Sequence, residues 1–360
     1  MFPNETQLRT DFLILGAGLA GCLMAWRLFE AGQSVRLIGD TSRGGSSEVA
    51  AGIINPVTGR WMTKTWDFDH LMPEARALYN QIEAHLGIQV FNEVPARRFC
   101  LNEADAKRAN RRIRNPRYAD VLGSFIPAGE APIQIHDPFG SFEIAQAAYV
   151  DLPKLLTQLR TFFKERNAFE DQTFEYQDIY QANGCWHYQQ QAYERILFCE
   201  GAQMKANPWF KDLPLKPIKG ETLLLASESN ALTPGIYHHE KWLLPYGDGT
   251  YRIGATYDEK DLSEAPTASA KDDLSAASEV FARSAGPFTP IKQLAGLRPS
   301  TPDTRPLVGA HPDHPELLLF NGLGSKGASV APKLSKDLVR HLLENKPLNP
   351  EVALSRFTTV

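Results

Sequence analysis

The sequence is poor in cysteine, and its four cysteines are scattered along the chain at Cys22, Cys100, Cys185 and Cys199. No Cys-x-x-Cys pair and no zinc-ligand spacing occurs among them, so the sequence predicts neither a disulfide framework nor a metal site. Scattered thiols of this kind are typical of a reducing, cytoplasmic environment.

Long hydrophobic runs are also absent from the sequence. It contains no apolar stretch of the length that a membrane-spanning helix needs. The first strand predicted from the sequence begins near Phe12, which leaves no room for a secretory signal peptide. We therefore expect a cytoplasmic protein without a membrane segment.

Charge of one sign is not in excess either. The 38 Lys and Arg residues face 42 Asp and Glu residues, which gives a net charge of −4. This balance argues against bulk binding to nucleic acid or to an anionic membrane. The 360 residues, of which 43% are hydrophobic, are enough for two domains or one large domain.

What the sequence does contain is a glycine-rich segment directly after an apolar run. Residues 12–15 are all apolar, as in a strand that is buried on both faces, and Gly16-x-Gly18-x-x-Gly21 follows at the start of a helix. In such a motif the first glycine makes the tight turn and the second lets the backbone approach a pyrophosphate. The third lets the helix pack closely on the strand, and the positive end of the helix faces the phosphates.

A second apolar strand, predicted over residues 35–38, is followed by Gly39 and Asp40. Asp40 lies 19 residues after Gly21, in the region where an acid accepts hydrogen bonds from an adenosine ribose. The position directly after the strand is a glycine, and the acid comes one residue later. The alternative interpretation is that Asp40 is a solvated turn residue. Together with the glycine motif, the spacing predicts a dinucleotide site.

The next segment indicates which dinucleotide is bound. Ser46, Ser47, Ala51 and Gly52 are small residues with backbone and hydroxyl donors, suited to a loop that runs along a second phosphate toward a flavin ring. At these residues the chain resembles the D-amino-acid oxidase and glycine oxidase family of FAD enzymes. No second Gly-x-Gly-x-x-Gly motif occurs, so we do not expect a separate NAD(P)H domain.

The resemblance implies an α/β fold with a Rossmann-type FAD-binding domain and a second, substrate domain built on a mostly antiparallel sheet. We expect the FAD-binding domain to comprise residues 1–86, 144–215 and 295–360, and the substrate domain residues 87–143 and 216–294. Sequence patterns predict a helix over 73–86, strands over 174–179, 185–188 and 195–202, and a hairpin around residues 247–249.

Two later segments carry the rest of the resemblance. Residues 296–299 match the family's Gly-x-Arg-Pro pattern, and the glycine-rich loop 321–328 leads from an apolar strand into a helix. A glycine-rich loop that enters a helix binds anions, and in this family the anion is the reduced flavin ring. The same loop also resembles the oxidase half of bifunctional tRNA-modifying enzymes.

The resemblance implies cofactor contacts in all of these segments. Gly201 is included because it lies at the end of a predicted strand, although a simple turn glycine would have the same sequence pattern. No cysteine or histidine lies in a flavin-attachment motif, so the expected FAD is noncovalent. The implied cofactor-binding residues are Gly16, Gly18, Leu19, Ala20, Gly21, Asp40, Thr41, Ser46, Ser47, Ala51, Gly52, Phe174, Gly201, Arg298, Gly322, Gly324, Ser325, Lys326, Gly327 and Ala328.

Three residues are candidates for substrate contacts. Arg298 matches the arginine with which the family holds a substrate carboxylate through two parallel N–H···O bonds. The alternative interpretation is that Arg298 forms a structural ion pair. Trp242 falls where D-amino-acid oxidases have a substrate-side tyrosine, so the missing hydroxyl argues against a simple D-amino-acid substrate. Asn55 falls where those oxidases have a glutamine, and we expect it to contact flavin or substrate.

A basic stretch allows a second interpretation. Residues 97–117 contain eight Lys or Arg residues and two acids. Such a run is typical of a solvated helix face. The alternative is an RNA-facing patch, although no aromatic residue is interleaved with the basic residues from Lys107 to Arg117.

These observations predict an FAD-dependent enzyme. We expect it to oxidise a C–N bond of a small carboxylated amine or amino acid by hydride transfer to flavin, with O2 or another electron acceptor. One alternative is an oxidase that acts on a modified tRNA uridine side chain. The other is a flavoprotein in which FAD has a structural role.

Overall fold

A computed structural model of the chain describes residues 10–133, 135–228 and 232–357. Its helices are, in chain order, α1 Leu19–Glu30, α2 Ser46–Val49, α3 Phe68–Leu86, α4 Glu103–Ile113, α5 Leu152–Lys164, α6 Ala268–Ser278, α7 Ala282–Ala285 and α8 Gly327–Glu344. Its strands are β1 Thr10–Leu15, β2 Val35–Ile38, β3 Ile53–Ile54, β4 Val57–Thr58, β5 Thr63–Lys64, β6 Phe91–Glu93, β7 Ala96–Phe99, β8 Leu122–Ile126, β9 Ser141–Ile144, β10 Ala148–Val150, β11 Phe169–Glu170, β12 Ile179–Ala182, β13 Cys185–Tyr188, β14 Gln191–Phe198, β15 Lys216–Ala226, β16 Ile236–His238, β17 Trp242–Pro245, β18 Thr250–Gly254, β19 Thr289–Ser300, β20 Leu307–Ala310 and β21 Leu317–Asn321.

The chain divides into two discontinuous units. The first unit comprises the described parts of residues 1–50, 152–218 and 297–360, and the second comprises those of residues 51–151 and 219–296. These boundaries differ from the predicted domain boundaries, because residues 51–86 and 144–151 group with the second unit. The reason is a small sheet in which β10 pairs with both β3 and β6. Strands of two or three residues leave too little pattern to be recognised from sequence.

The first unit is organised around a mostly parallel sheet with the strand order β11-β2-β1-β14-β13-β12. Strands β2, β1, β14 and β21 run parallel to one another, and β21 pairs with the second half of β14. The central strand β1 is apolar and is buried from residue 12 to residue 15. That pattern is expected of a strand covered on both faces, and it confirms the prediction of a Rossmann-type α/β unit.

The second unit is built on a sheet with the strand order β19-β15-β18-β17-β16-β7-β9-β8. One face carries an apolar core in which Leu223, Tyr237, Leu243 and Ile253 pack with Leu274 of α6. The opposite face is more polar. Its central row, read along the strand pairings, is Thr222, Gly254, Trp242, His238 and Arg98.

Several predicted elements differ in their bounds from those in the structure. Helix α3 begins at Phe68, five residues before the predicted start, and Pro73 lies within its first turns. The predicted strand over residues 174–179 is wrong, because residues 176–178 form a 3-10 turn and β12 begins only at Ile179. The rings of Phe174 and Tyr176 instead lie 5.6 Å apart and pack on the core.

The four cysteines are free thiols in the structure, and Cys22, Cys100 and Cys199 are buried. Burial raises the pKa of Cys22 to about 12 and that of Cys100 to about 11.

Among the described helices, none combines the length and the hydrophobicity that a membrane crossing requires.

Candidate functional site

Within the first unit, most of the predicted cofactor segments meet at one edge of the sheet. Strands β1, β2, β14 and β21 run parallel. Their carboxyl ends therefore lead directly into residues 16–21, 39–41, 199–201 and 322–328. In an open parallel sheet, the crevice at the carboxyl ends of the strands is where ligands bind.

The glycine turn after β1 is tightly packed. Gly16 has a φ of +107°, and a Cβ added there would lie 2.4 Å from the Cys199 carbonyl oxygen at the end of β14. A Cβ on Gly21 would lie 1.8 Å from the Gly16 carbonyl oxygen. Neither position therefore accepts a side chain without moving the backbone. The first glycine turns the chain, and the third allows α1 to lie directly on the turn.

Hydrogen-bond donors converge at the start of α1. The Leu19 N–H donates to Ser47 Oγ at 3.1 Å. A hydroxyl that accepts this bond keeps its own proton for a ligand. The N–H of Gly18, one residue earlier, has no partner among the described residues. Ser46 lies beside Ser47 in α2, so the structure brings the first and third predicted segments together at the glycine turn.

Sequence reasoning missed Arg160, which lies on α5. Its Nε and Nη2 donate to the Ala17 carbonyl oxygen at 2.9 and 2.6 Å, and its Nη1 donates to Glu48 of α2 at 2.7 Å. Arg160 and Ala17 are 143 positions apart in the chain. No local pattern in the sequence connects them.

Asp40 follows β2 as predicted, and its carboxylate is held in place by neighbours. It accepts hydrogen bonds from the Ser42 N–H at 3.0 Å and from the Thr173 hydroxyl at 2.8 Å, and it pairs with Arg43 at 3.1 Å. The bonds from Ser42 and Thr173 lower the pKa of Asp40, so this carboxyl group is ionised. Thr41 beside it is bound through its N–H and hydroxyl to Asp171.

A steric contact explains why the residue before Asp40 is a glycine. A Cβ on Gly39 would lie 2.6 Å from the backbone nitrogen of Ala17 in the glycine turn. A side chain at the position directly after β2 would therefore displace that turn, and the acid instead follows one residue later.

The C-terminal loop packs against the glycine turn and against the end of β19. A Cβ on Gly327, the first residue of α8, would lie 3.3 Å from Leu19 Cδ2 at the start of α1. The Gly324 N–H donates to the Pro299 carbonyl oxygen at 3.0 Å. Arg298 precedes Pro299 and is partly buried. The structure therefore brings Arg298 to the loop that contains Gly322, Gly324, Ser325 and Ala328.

Lys326 lies at the amino-terminal end of α8. Burial lowers its pKa, and the nearby charge of Arg305 lowers it further. A lysine at this end of a helix also faces the positive pole of the helix dipole. The dipole of α8 and the cationic form of Lys326 would both suit an anion at this end of the helix.

Gly201 and the residue before it lie at the end of β14. Gly201 has a φ of +58°, a Cβ added there would meet no atom within 4 Å, and its carbonyl oxygen accepts from Asn321 Nδ2 at 2.9 Å. Glu200 is 8% exposed and accepts hydrogen bonds from the Tyr176 hydroxyl and from Asn207 Nδ2. Burial raises the pKa of Glu200 to about 7. Sequence reasoning missed both Asn321 and Glu200.

The remaining predicted cofactor and substrate residues belong to the second unit. Ala51 is buried, and a Cβ on Gly52 would lie 2.0 Å from the Val150 carbonyl oxygen. Asn55 is partly buried, and its Oδ1 accepts from the Val57 N–H at 2.9 Å. The side chain of Asn55 thus shapes the start of the β4–β5 hairpin, and its Nδ2 has no partner within the described ranges.

Trp242 lies on the polar face of the large sheet in the second unit. A Cβ on Gly254 would lie 2.4 Å from Cζ2 of the Trp242 ring, so the ring covers that glycine. His238 pairs with Trp242 across the ladder, and its Nδ1 is buried without a hydrogen-bond partner in the part of the chain that is described. Burial lowers the pKa of His238 to about 4, and the charge of Arg98 adds to the effect. Sequence reasoning missed His238, although the antiparallel pairing of β16 with β17 places it on the same face as Trp242.

Three arginines of the basic stretch bind the tip of the β4–β5 hairpin. The carbonyl oxygens of Gly59, Arg60 and Trp61 accept hydrogen bonds from three arginines in turn. The donors are Arg98 at 2.8 Å, Arg108 at 2.9 Å and Arg112 at 3.3 Å. Arg60 and Arg108 also lie over the Trp61 ring, which is 55% exposed. Part of the basic stretch therefore binds this hairpin, while Lys107, Arg111, Arg114 and Arg117 are exposed.

The residues of the first unit fit a dinucleotide. The Gly18 N–H and the Ser47 hydroxyl offer donors where phosphates bind, and the ionised Asp40 lies at the end of the next strand. The open side of Gly201 leaves room beside the end of β14. Among the described residues, no group of His, Cys, Asp and Glu side chains forms a metal site.

Comparison with known proteins agrees with this geometry. The DAO family, described as FAD dependent oxidoreductase, matches residues 11–340 of the chain. Glycine oxidase from Bacillus subtilis (strain 168) is 31% identical over 153 residues, which cover 40% of this chain and 40% of that protein. The tRNA 5-methylaminomethyl-2-thiouridine biosynthesis bifunctional protein MnmC from Acinetobacter baylyi is 25% identical, over 94% of this chain and 54% of that protein. The chain thus spans less than two thirds of the length of these curated relatives.

Solved structures show the same fold. Glycine oxidase from Geobacillus kaustophilus superposes with a TM-score of 0.80 at 20% identity, over 94% of this chain and 96% of that chain. Iminodiacetate oxidase from Chelativorans sp. BNC1 superposes with a TM-score of 0.78 at 21% identity, over 95% of this chain and 98% of that chain.

Proposed function

Since the chain belongs to the DAO family of FAD-dependent oxidoreductases, we propose that it oxidises a C–N bond of a small carboxylated amine or amino acid with noncovalently bound FAD. The observation that carries this proposal is the link between the end of β19 and the loop before α8. Arg298 stands one residue before Pro299, whose carbonyl oxygen holds the Gly324 N–H at 3.0 Å. An arginine fixed beside an anion-binding loop is suited to anchor a substrate carboxylate.

FAD, when bound, supplies the acceptor for the hydride that leaves the substrate carbon next to nitrogen. The Gly18 N–H, the Ser47 hydroxyl and the start of α1 would hold its phosphates, and Asp40 its ribose. The positive end of α8, with Lys326, would favour the reduced and more anionic form. Arg298 would hold the substrate carboxylate, so that the rest of the substrate is oriented from one fixed end.

The names of the relatives support this substrate class. Glycine oxidase and iminodiacetate oxidase both denote enzymes of small amines that carry carboxylates. Trp242 on the second unit lacks the hydroxyl of the family's tyrosine, which favours a substrate other than a simple D-amino acid. O2 or another electron carrier would complete the cycle, and the unpaired cysteines favour a cytoplasmic location.

Anaerobic titration tests the proposal directly. The purified protein should be yellow, acid should release free FAD, and one member of a panel of carboxylated amines should bleach the flavin absorbance. Protein that cannot be reconstituted with FAD, or that binds NAD instead, would overturn the cofactor assignment. If only amines without a carboxylate bleach the flavin, the substrate class is wrong.

Substitution of Arg298 tests the anchor. Arg298→Lys keeps the charge and loses the planar fork, whereas Arg298→Leu loses both. We expect kcat/KM to fall in that order, by about 2–4 kcal/mol for Arg298→Leu, while FAD content stays normal. Lys292→Leu, an exposed change on the same strand, is the control and should have no effect. Normal turnover by Arg298→Leu would show that Arg298 is not the anchor and that the substrate need not be an acid.

A modified tRNA uridine is the second candidate substrate. The observation that favours it is the MnmC similarity, which extends over 94% of this chain. The exposed arginines near α4 would then contact the RNA backbone. Such binding would weaken steeply with salt, whereas turnover of a small amine would not.

A further inference from the structure

The peptide between Ala17 and Gly18 is held from one side. Arg160 donates two hydrogen bonds to the Ala17 carbonyl oxygen, at 2.9 and 2.6 Å, and the Cys22 thiol lies 3.3 Å from the same oxygen. The Arg160 side chain is 14% exposed, so its charge is directed mainly at protein groups. Its remaining terminal nitrogen pairs with Glu48. We call this arrangement of Arg160, Ala17 and Glu48 the glycine-turn clasp.

The clasp determines where the Gly18 N–H points. In a trans peptide the C=O of one residue and the N–H of the next lie in one plane and point in opposite directions. Because the Ala17 oxygen is fixed on Arg160, the Gly18 N–H must face the opposite side. That N–H has no partner among the described residues, and it lies beside the Leu19 N–H at the start of α1.

The need for such a clasp follows from the glycines. A glycine on one side of a peptide lowers the cost of rotating that peptide, since glycine tolerates backbone angles that other residues avoid. Without a donor on the Ala17 oxygen, the peptide could turn so that the carbonyl oxygen faces the site. A carbonyl dipole in that orientation would repel a phosphate, whereas an N–H attracts it.

We propose that Arg160 is a positioning residue for the cofactor, which fixes the Ala17–Gly18 peptide so that its N–H faces the pyrophosphate. The inference rests on the proposed FAD site. It also assigns Glu48 a secondary part, because Glu48 orients the guanidinium and neutralises it but does not touch the peptide. Arg160 therefore acts through the backbone and makes no contact with the reacting atoms.

The test uses four variants of the full chain and measures affinity in cofactor-free protein. Arg160→Met removes the clasp, Arg160→Lys keeps a charge and one donor, and Glu48→Gln keeps the bonds to Ala17. Lys164→Met removes one positive charge from an exposed position on the same helix and serves as the control. For each protein, the FAD dissociation constant is measured by flavin fluorescence, and ADP is titrated as a competitor. The melting temperature of the cofactor-free protein reports on folding.

We expect Arg160→Met to weaken FAD about 10- to 100-fold and ADP by the same factor, because both ligands present the same phosphates. Arg160→Lys should fall between Arg160→Met and wild type. Glu48→Gln should stay within about threefold of wild type, like Lys164→Met. Melting temperatures of the cofactor-free Arg160→Lys and Glu48→Gln proteins should remain close to that of wild type.

Three results would overturn the inference. Unchanged FAD affinity in a folded Arg160→Met protein would show that the peptide needs no clasp. Loss of FAD affinity without loss of ADP affinity would place the effect at the flavin end. Equal losses in Glu48→Gln and Arg160→Met would show that the ion pair, and not the peptide orientation, is what matters. If wild-type protein itself binds no FAD, the proposed function fails before this inference is reached.

Discussion

Arginines bind backbone carbonyl oxygens in both units of this protein, with opposite results. In the first unit, Arg160 holds the Ala17 oxygen, and the next N–H, that of Gly18, remains without a partner among the described residues. In the second unit, Arg98 and two further arginines hold three successive oxygens at the hairpin tip. There the Met62 N–H bonds back to the Gly59 oxygen at 3.1 Å, so the turn closes on itself.

If Arg160 has the role proposed above, the same kind of contact serves binding in one place and loop structure in the other. What decides is the direction of the neighbouring N–H groups. In the glycine turn the Gly18 N–H has no partner among the described residues, whereas in the hairpin tip the Met62 N–H bonds within the turn. A run of arginines in a sequence therefore says little about a partner until the acceptors of those arginines are known.

The largest expected effect concerns the buried ionisable groups of the two units, which respond to pH in opposite directions. Glu200 in the first unit has its pKa raised from 4.5 to about 7, so the folded state favours its neutral form. Its contribution to stability is complete below pH 4.5 and is lost as the pH rises through 7. The loss amounts to at most about 3 kcal/mol. Glu200→Gln should remove this loss, as measured by urea unfolding between pH 5 and pH 8.5.

His238 in the second unit provides the matched comparison. Its pKa is lowered from 6.5 to about 4, so its contribution is present above pH 6.5 and is lost as the pH falls through 4. His238→Gln should change the acidic limb of the stability profile and leave the alkaline limb as in wild type. An alkaline limb that persists in Glu200→Gln would mean that another group titrates there.

The next effect separates stability from cofactor affinity. Arg98 is 7% exposed, and Arg98→Met would leave the Gly59 oxygen without its charged donor. We expect a loss of about 2–3 kcal/mol in the free energy of unfolding, and about 1 kcal/mol for Arg108→Met or Arg112→Met, which are more exposed. The FAD dissociation constant should not change in any of the three. If any of these variants lost FAD affinity without losing stability, the hairpin tip would serve cofactor binding too, and its contrast with the glycine turn would be wrong.

The smallest effect is expected at the exposed arginines. Arg111, Arg114 and Arg117 face solvent, so their replacement by Glu should leave the free energy of unfolding within about 0.5 kcal/mol of the wild-type value. If the substrate is a small amine, kcat/KM should also be unchanged, because exposed charges are screened beyond about 10 Å. A strong, salt-dependent loss of turnover on tRNA, measured in parallel with a small amine, would favour the RNA substrate. Arg112 is left intact in this experiment because it binds the hairpin.

Local patterns predicted much of the first unit. The apolar run of β1, the glycine motif and the strand before Asp40 each depend on neighbours in sequence, and the structure places them next to one another. The DAO family assignment from these residues is confirmed. The roles of the individual site residues stay predictions.

Contacts between distant segments escaped prediction. The clasp joins α5 to the glycine turn across 143 positions, and only tertiary packing brings them together. The contact between Arg108 and the Trp61 ring illustrates the same limit. Trp61 lies outside the basic stretch, so the pattern of that stretch does not predict the contact. The strand predicted over residues 174–179 failed for a related reason. Its aromatic side chains pack into the core and toward Glu200, so its backbone does not extend along a neighbouring strand.

Each unit contains at least one buried thiol whose alkylation rate would report on local unfolding. Cys22 and Cys199 belong to the first unit and Cys100 to the second, and burial raises the pKa of all three. A thiol of this kind reacts with an alkylating reagent only when its surroundings open, so its reaction rate measures local unfolding. Cys185 is partly exposed and sets the rate for an accessible thiol in the same chain. Mass spectrometry of the alkylated peptides would therefore time the opening of each unit separately, without the introduction of new cysteines.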